Sequence, residues 1–148
     1  MKKLLLLALL TMATACVSTK NTIQNIDDTI VMPALNKDKN FVITETAPDK
    51  KYGYNQDYPV NLGFMQYKTA EINVKRFFGG LSGPKGEKLT YTKTESCCPF
   101  PTKKYDVGAG LLDIYEVTWQ GLSQPKIIYI NLYEKGKVMA PQGFSIVK

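Results

Sequence analysis

The chain has 148 residues, with 19 Lys and Arg against 13 Asp and Glu and no histidine. Without histidine there is no Ser/His/Asp or Cys/His triad, no His-ligated zinc or haem, and no ordinary proton shuttle near neutral pH. Arg76 is the single arginine and the lysines are scattered, which lacks the clustered basic footprint of a nucleic-acid binder, so nucleic acid is not an expected partner.

At the amino end, Lys2 and Lys3 precede the apolar run Leu4 to Leu10, and Thr11 to Ala15 lead to Cys16. A positive start, an apolar middle and small residues before a cut make a signal peptide over 1–15. As a helix at about 1.5 Å per residue, fifteen residues reach roughly 23 Å, short of the roughly 30 Å hydrocarbon core, so a permanent span is not expected. Ala13-Thr14-Ala15-Cys16 resembles the lipobox of bacterial lipoproteins, with Ala13 where leucine is usual. The resemblance implies cleavage between Ala15 and Cys16, a diacylglycerol on the Cys16 sulfur and an acylated (palmitate-type) new amino group. Cleavage by the ordinary signal peptidase would leave Cys16 unmodified. Three acyl chains, at about 0.8 kcal/mol per buried CH₂, exceed what stable anchoring takes, so the membrane is an expected partner through the lipid. No acidic run follows Cys16, which points to the periplasmic side of the outer membrane.

Removing the fifteen leaves a chain large enough to bury its own core without metal or cofactor. The segment 16–40 is rich in Ser, Thr, Asn, Asp and Lys and has no sustained period, the composition of a polar tether. The single domain is expected over 41–148. Six of the leucines lie in the signal, and the Ile, Val, Tyr and Phe of the remainder favour strands.

In chain order, alternation over Phe41 to Thr46 predicts a short strand that stops at Ala47-Pro48-Asp49. KYGYNQDYPVNLG reads as a loop carrying Tyr52, Tyr54 and Tyr58, extended from Pro59 to Leu62. Thr69 suits a helix cap, Glu71 its first turn, and Val74, Phe77, Phe78 and Leu81 share one helical face before Gly79-Gly80 stops it. Gly83-Pro84-Lys85-Gly86 reads as a turn and Lys88 to Thr94 as a half-buried strand. Leu111 to Trp119 and Ile127 to Tyr133, joined by a short turn, predict an antiparallel hairpin at the centre of the core. Phe144 to Val147 is expected to close the sheet. The predicted class is α+β, one helix packed on an antiparallel sheet of about four to six strands.

Four features bear on chemistry. Asp113 and Glu116 fall on opposite faces of their strand, which argues against a convergent acid–base pair. Cys97 and Cys98 stand in Ser96-Cys97-Cys98-Pro99-Phe100, in an oxidising envelope if the chain is exported. Adjacent Cα atoms lie about 3.8 Å apart, below the usual disulfide span of about 4.4–6.8 Å, so a bond between them would be strained and easily reduced. Three readings stand: a rigid vicinal disulfide or buried thiols stiffening a Pro-bounded loop, a redox role, or soft-metal binding, which needs more ligands than two sulfurs. Tyr52, Tyr54 and Tyr58 offer rings that stack on a sugar or peptide, or serve only as loop packing. Gly83 to Gly86 and Gly108-Ala109-Gly110 lack Walker spacing and a strand-to-helix setting, so turn chemistry accounts for both. No metal site, cofactor or catalytic residue is expected.

From Tyr52 to Phe144, the segments YGYNQDYPVNLG, LSGPKGEKLTYTKTESCCPFP, GLLDIYEVTWQGL, IIYINLYEKG and APQGF resemble a family of small lipoproteins of Gram-negative bacteria, over about two thirds of the chain. The recurring motifs match Gly83 to Glu87, Ser96 to Phe100 and Gly110 to Thr118. The resemblance attaches chemistry to Cys16, Cys97 and Cys98 and implies no catalytic residues. Similar sequences sometimes carry the name 2-dehydro-3-deoxyphosphooctonate aldolase, which implies a barrel of around 250 residues that this chain is too short to build. The functional expectation is therefore an envelope binding or interaction module with a protein or glycan partner. The alternatives are a thiol redox or sensor protein, and a small enzyme.

Overall fold

The computed structural model describes residues 21–63 and 70–148. The expected cleavage, lipidation and helix-cap positions, Ala15, Cys16 and Thr69, lie outside them. The architecture is α+β and mostly β, and the described residues form one helix, a four-stranded sheet and a separate two-stranded one.

Helix α1, Ala70–Gly79, has Glu71 in its first turn and Arg76 in its last, each sign opposite to the helix dipole it meets. It buries Val74, Phe77 and Phe78 as the spacing predicts. It ends where Gly80 N–H donates to the carbonyls of Arg76 and Phe77. A Cβ on Gly80 would sit 2.5 Å from the Phe41 carbonyl, so glycine is what lets the 41–46 segment cross there. Leu81 is buried but leaves the helical face to begin strand β2, Leu81–Ser82.

The main sheet contains β1, Val60–Asn61, β3, Thr90–Pro101, β4, Ala109–Thr118, and β5, Lys126–Asn131, in the order β1-β5-β4-β3. The predicted hairpin is β4–β5, paired antiparallel from Asp113↔Ile130 to Val117↔Lys126. Three expectations change. β1 runs parallel to β5, so the sheet is mixed rather than antiparallel. The two are not joined by a hairpin, and turn chemistry, which fixes antiparallel neighbours, has no hold on their direction. Phe41 to Thr46 forms only isolated bridges, Phe41 with Leu35 and Thr46 with Ala140. Phe144 to Val147 supplies β6, Ser145–Ile146, which pairs with β2 and does not extend the main sheet.

Val74, Phe77 and Phe78 of α1 share one apolar cluster with Val60, Leu62, Tyr115, Val117, Ile128, Ile130, Phe41, Ile43 and Phe144. Each fully buried Val, Ile or Phe contributes about 1.5–3 kcal/mol of transfer free energy. On the opposite face of the sheet lie two fully buried amides, Asn61 and Asn131, neighbours across β1 and β5. Asn131 Nδ2 donates to Asn61 Oδ1 at 2.9 Å, and Asn131 Oδ1 accepts from Tyr133 N and Glu134 N. Asn61 Nδ2 donates to the carbonyls of Gln24 and Asn25.

Those two carbonyls belong to the stretch expected as a tether over 16–40. Its described part lies along the body. Thr22 Oγ1 donates to Asp57, Gln24 N to the Asp57 carbonyl and Asp27 N to that of Lys135. Asn25, with φ 59°, exchanges side-chain bonds with both backbone groups of Lys137. Polar composition reads as a tether because buried backbone partners for polar residues do not show in a hydropathy pattern.

Asn131→Ala leaves the Asn61 carbonyl oxygen and two backbone N–H groups without their buried partner, at roughly 1–3 kcal/mol for each such group. The expected outcome is a loss of about 3 kcal/mol in the urea unfolding free energy. Thr92→Ala, an exposed change on β3, serves as the control within about 0.5 kcal/mol.

Candidate functional site

β3 is an outer strand of the sheet, and all its residues except Phe100 are exposed or half-buried. Its register against β4 slips twice, between Lys93 and Glu95 and between Cys97 and Phe100. At the first slip Thr94 is the extra residue, and its hydroxyl donates to the Ile114 carbonyl. The consequence is a change of parity. Tyr91, Lys93 and Ser96 oppose Val117, Tyr115 and Asp113, so all three look toward the helix side of the sheet. Strict alternation puts Ser96 on the other face, and no sequence signal marks the bulge.

On that face a cleft of about 420 Å³ opens between α1 and the β3–β4 pair, lined by Glu71, Ile72, Val74, Lys75, Tyr91, Lys93 and Tyr115. Its aromatic side is braced from below, because Phe78 stacks on Tyr91 with centroids 4.3 Å apart and leans on Tyr115 at 5.6 Å. Ile72 is 41 % exposed at the helix side. The Lys93 ammonium lies 2.7 Å from Asp113 Oδ1, and Ser96 Oγ donates to the same oxygen at 2.8 Å. Asp113 therefore positions the cation at the rim. Glu116 lies exposed on the opposite face, as the parity of the strand requires. Burial, then the charges of Asp113 and Glu71, pushes the Tyr115 phenol up to about 12, and burial raises Tyr91. Both hydroxyls stay protonated at ordinary pH, which makes them hydrogen-bond donors and not nucleophiles. The cleft has the makings of a binding surface: aromatic rings, two phenols and three charged side chains. The sequence reading missed it, because Ile72 and Lys75 lie on a different element from Tyr91 and Lys93.

Farther along the same strand, Cys97 and Cys98 are joined in a disulfide with Cα atoms 3.7 Å apart. They do not sit in a loop as expected. They form the second bulge of β3, half-buried, with Cys98 at φ 60°. That left-handed position usually belongs to glycine, because a Cβ there costs roughly 1–2 kcal/mol. Beyond the bulge, Phe100 turns inward to meet Gly110, its paired residue, and Tyr133. A Cβ on Gly110 would lie 2.8 Å from the Tyr133 ring and 2.9 Å from that of Phe100. The Gly108-Ala109-Gly110 stretch thus serves turn geometry and ring packing. Among the described residues no group of three or more Cys, Asp or Glu converges as a metal site.

The three loop tyrosines do not form one surface. Tyr52 is 0 % exposed; its hydroxyl accepts from Met139 N and donates to the Lys137 carbonyl, and its ring meets that of Tyr58 edge-on at 5.3 Å. It is a core residue and cannot stack on a ligand. Tyr54 donates to the Gln142 carbonyl at 2.6 Å, with the Lys126 ammonium 5.6 Å above its ring. Tyr58 is half-buried. The loop is a clasp on the 137–142 segment.

Burial also holds the Tyr54 phenol up to about 12. A phenol whose folded pKa exceeds its unfolded value near 10 contributes stability that is present below about pH 10 and is lost as pH climbs through about 12. Urea midpoints should therefore fall across that interval. Tyr115→Phe and Tyr54→Phe should each flatten the fall, which tyrosinate absorbance follows in parallel. No family model matches the chain, and neither a curated protein nor a solved structure is similar to it.

Proposed function

We propose that this protein is a lipid-anchored lipoprotein of the bacterial envelope, on the periplasmic side of the outer membrane, whose folded domain is a binding or interaction module. The observation that carries the module reading is the open cleft between α1 and the β3–β4 face. Its volume is in the range of ligand sites. Its chemistry suits a partner with an apolar face and a hydrogen-bonding rim, such as a glycan ring or an extended protein segment. The anchor reading is supported by the lipobox-like Ala13-Thr14-Ala15-Cys16 and by the resemblance of Ser96 to Phe100 and Gly110 to Thr118 to motifs of small Gram-negative lipoproteins. The aldolase name implies an eight-stranded barrel with a phosphate site at its mouth, whereas the described residues form a four-stranded mixed sheet with one helix and a two-stranded sheet.

Mass spectrometry of the native product should find a chain that starts at Cys16 and carries acyl groups; an unmodified starting cysteine or a retained Met1 would overturn the anchor. A photoreactive residue at position 72 in intact cells should yield a discrete protein or glycan adduct. Lys75→Glu with Lys93→Glu should reduce that adduct several-fold without loss of fold, and an undiminished yield would sink the cleft as the binding surface.

A second reading is favoured by one observation, the closed Cys97–Cys98 bond half-exposed on an outer strand. A dithiol donor would transfer two electrons and two protons, leaving two cysteine thiols here and a disulfide on the donor. Counting alkylatable thiols before and after mild dithiol treatment tests it. The expected gain is two per chain under conditions that leave the fold intact, and no gain short of unfolding removes the redox reading.

A further inference from the structure

Just beyond β3 the chain grips the amino-terminal segment. Thr102 is buried, and its hydroxyl donates to the carboxylate of Glu134, which is buried too, while accepting from Lys104 N at 3.1 Å. The Lys104 ammonium lies 2.9 Å from Asp28 Oδ2. The hydrogen bond to Asp28 holds Lys104 above its ordinary pKa, and the charge of Glu134 adds to that. Next to these acids, Asp27 N donates to the Lys135 carbonyl at 2.8 Å. An ion pair as exposed as Lys104–Asp28 is weak by itself. The grip therefore depends on where β3 delivers its end.

That delivery is set by the second bulge. Between the pairs Cys97↔Leu112 and Phe100↔Gly110, β3 has two residues where β4 has one. Cys98 takes up the excess at φ 60°, tied to Cys97 by the disulfide. Pro99 follows, and a residue before proline is driven toward extended backbone when nothing else restrains it. An extended Cys98 removes the bulge. Pro99 then comes opposite Gly110, and Phe100 and Thr102 turn to the other face, because a slip of one residue reverses every side chain. Thr102 leaves Glu134, and Lys104 is carried off Asp28.

We propose that the Cys97–Cys98 pair is a redox latch on the amino-terminal segment: closed, it aims Thr102 at Glu134 and Lys104 at Asp28; open, it releases residues 26–30 from the body. This rests on the second reading above, in which a dithiol opens the pair. Two electrons and two protons pass from the donor, which leaves as its own disulfide, and two cysteine thiols remain here. Both sulfur-bearing residues are half-buried on an outer strand, within reach of such a donor. The change runs toward the amino-terminal segment and away from the cleft, whose Tyr91 and Lys93 lie on the other side of the Thr94 bulge.

The test compares the native product, its bond closed, with the same protein after dithiothreitol. Thiols are counted by alkylation and amide hydrogen exchange is followed by mass spectrometry. Opening should add two thiols per chain and speed exchange over 26–30 several-fold, with the β4–β5 hairpin unchanged. Cys97→Ser with Cys98→Ser should show the fast exchange without reductant. Cys97→Ser with Cys98→Gly should exchange slowly with or without it, because glycine takes the left-handed φ freely. A glycine variant as fast as the serine pair overturns the latch. So does a gain of two thiols with 26–30 still slow, which leaves the redox reading standing, or a rise shared equally by the hairpin, which means that the whole fold has loosened. No gain of thiols short of unfolding removes the redox reading and this inference together.

Discussion

Two side-chain amides, buried back to back where β1 meets β5, constrain more of the molecule than any apolar contact does. An amide sealed from water must have its donors and acceptors matched, because each unmatched group costs a large share of the few kcal/mol by which a domain is stable. Asn131 meets this with Asn61 and with the turn that follows β5. Asn61 meets it with carbonyls that lie more than thirty-five residues earlier in the chain. The amino-terminal segment is thus recruited into the fold by hydrogen-bond accounting, and polar residues do the recruiting. Apolar groups on the other face of the same strands, Val60 and Ile130 among them, supply the bulk of the driving force but would accept many neighbours. The amides accept one.

The outer strand shows a different logic. A twelve-residue edge strand with one unpaired side is a template for unwanted pairing, and bulges, prolines and lysines are the usual remedies. β3 has all of them: two register slips, Pro99 and Pro101, and Lys93. The same irregularities build the site. Were Thr94 paired in regular register, Glu95 and not Ser96 would oppose Asp113, and the carboxylate beside the Lys93 ammonium would lose the hydroxyl that helps to hold it. Protection of the edge and construction of the cleft rim are one feature serving two ends.

The local pattern of the chain announced a good deal of this. The apolar spacing of Val74, Phe77 and Phe78 located α1, and the paired apolar runs located the β4–β5 hairpin, because both signals live within a dozen residues. The turn chemistry of Gly83 to Gly86 and Gly108 to Gly110 was legible for the same reason. What local pattern does not carry is pairing at long range. The parallel match of β1 with β5, the capture of β6 by β2 and the docking of Gln24 and Asn25 each join residues far apart in sequence. In the candidate site the cysteines were visible as residue types, but not their position inside a strand. Tyr52 was open to stacking on a ligand or to loop packing, and its burial, which decides for packing, depends on Met139 and Lys137, far along the chain.

The bulge at Cys98 joins covalent chemistry to backbone shape. A glycine would occupy its left-handed φ without cost and would leave the bulge indifferent to anything else in the protein. A cysteine there carries a Cβ penalty, and the closed ring with Cys97 restrains the one residue that must hold that conformation. The next paired residue is Phe100, whose ring is wedged against Gly110 and Tyr133. Opening the sulfur bond frees Cys98 to leave the left-handed region, and the inward turn of Phe100 then depends on ring packing alone. Strand β3 is therefore shaped at its far end by a bond that solvent thiols can reach and at its near end by Thr94 in the sheet. The cleft residues Tyr91 and Lys93 lie before the Thr94 bulge, so the cleft face keeps its register against β4 whichever state the sulfurs are in.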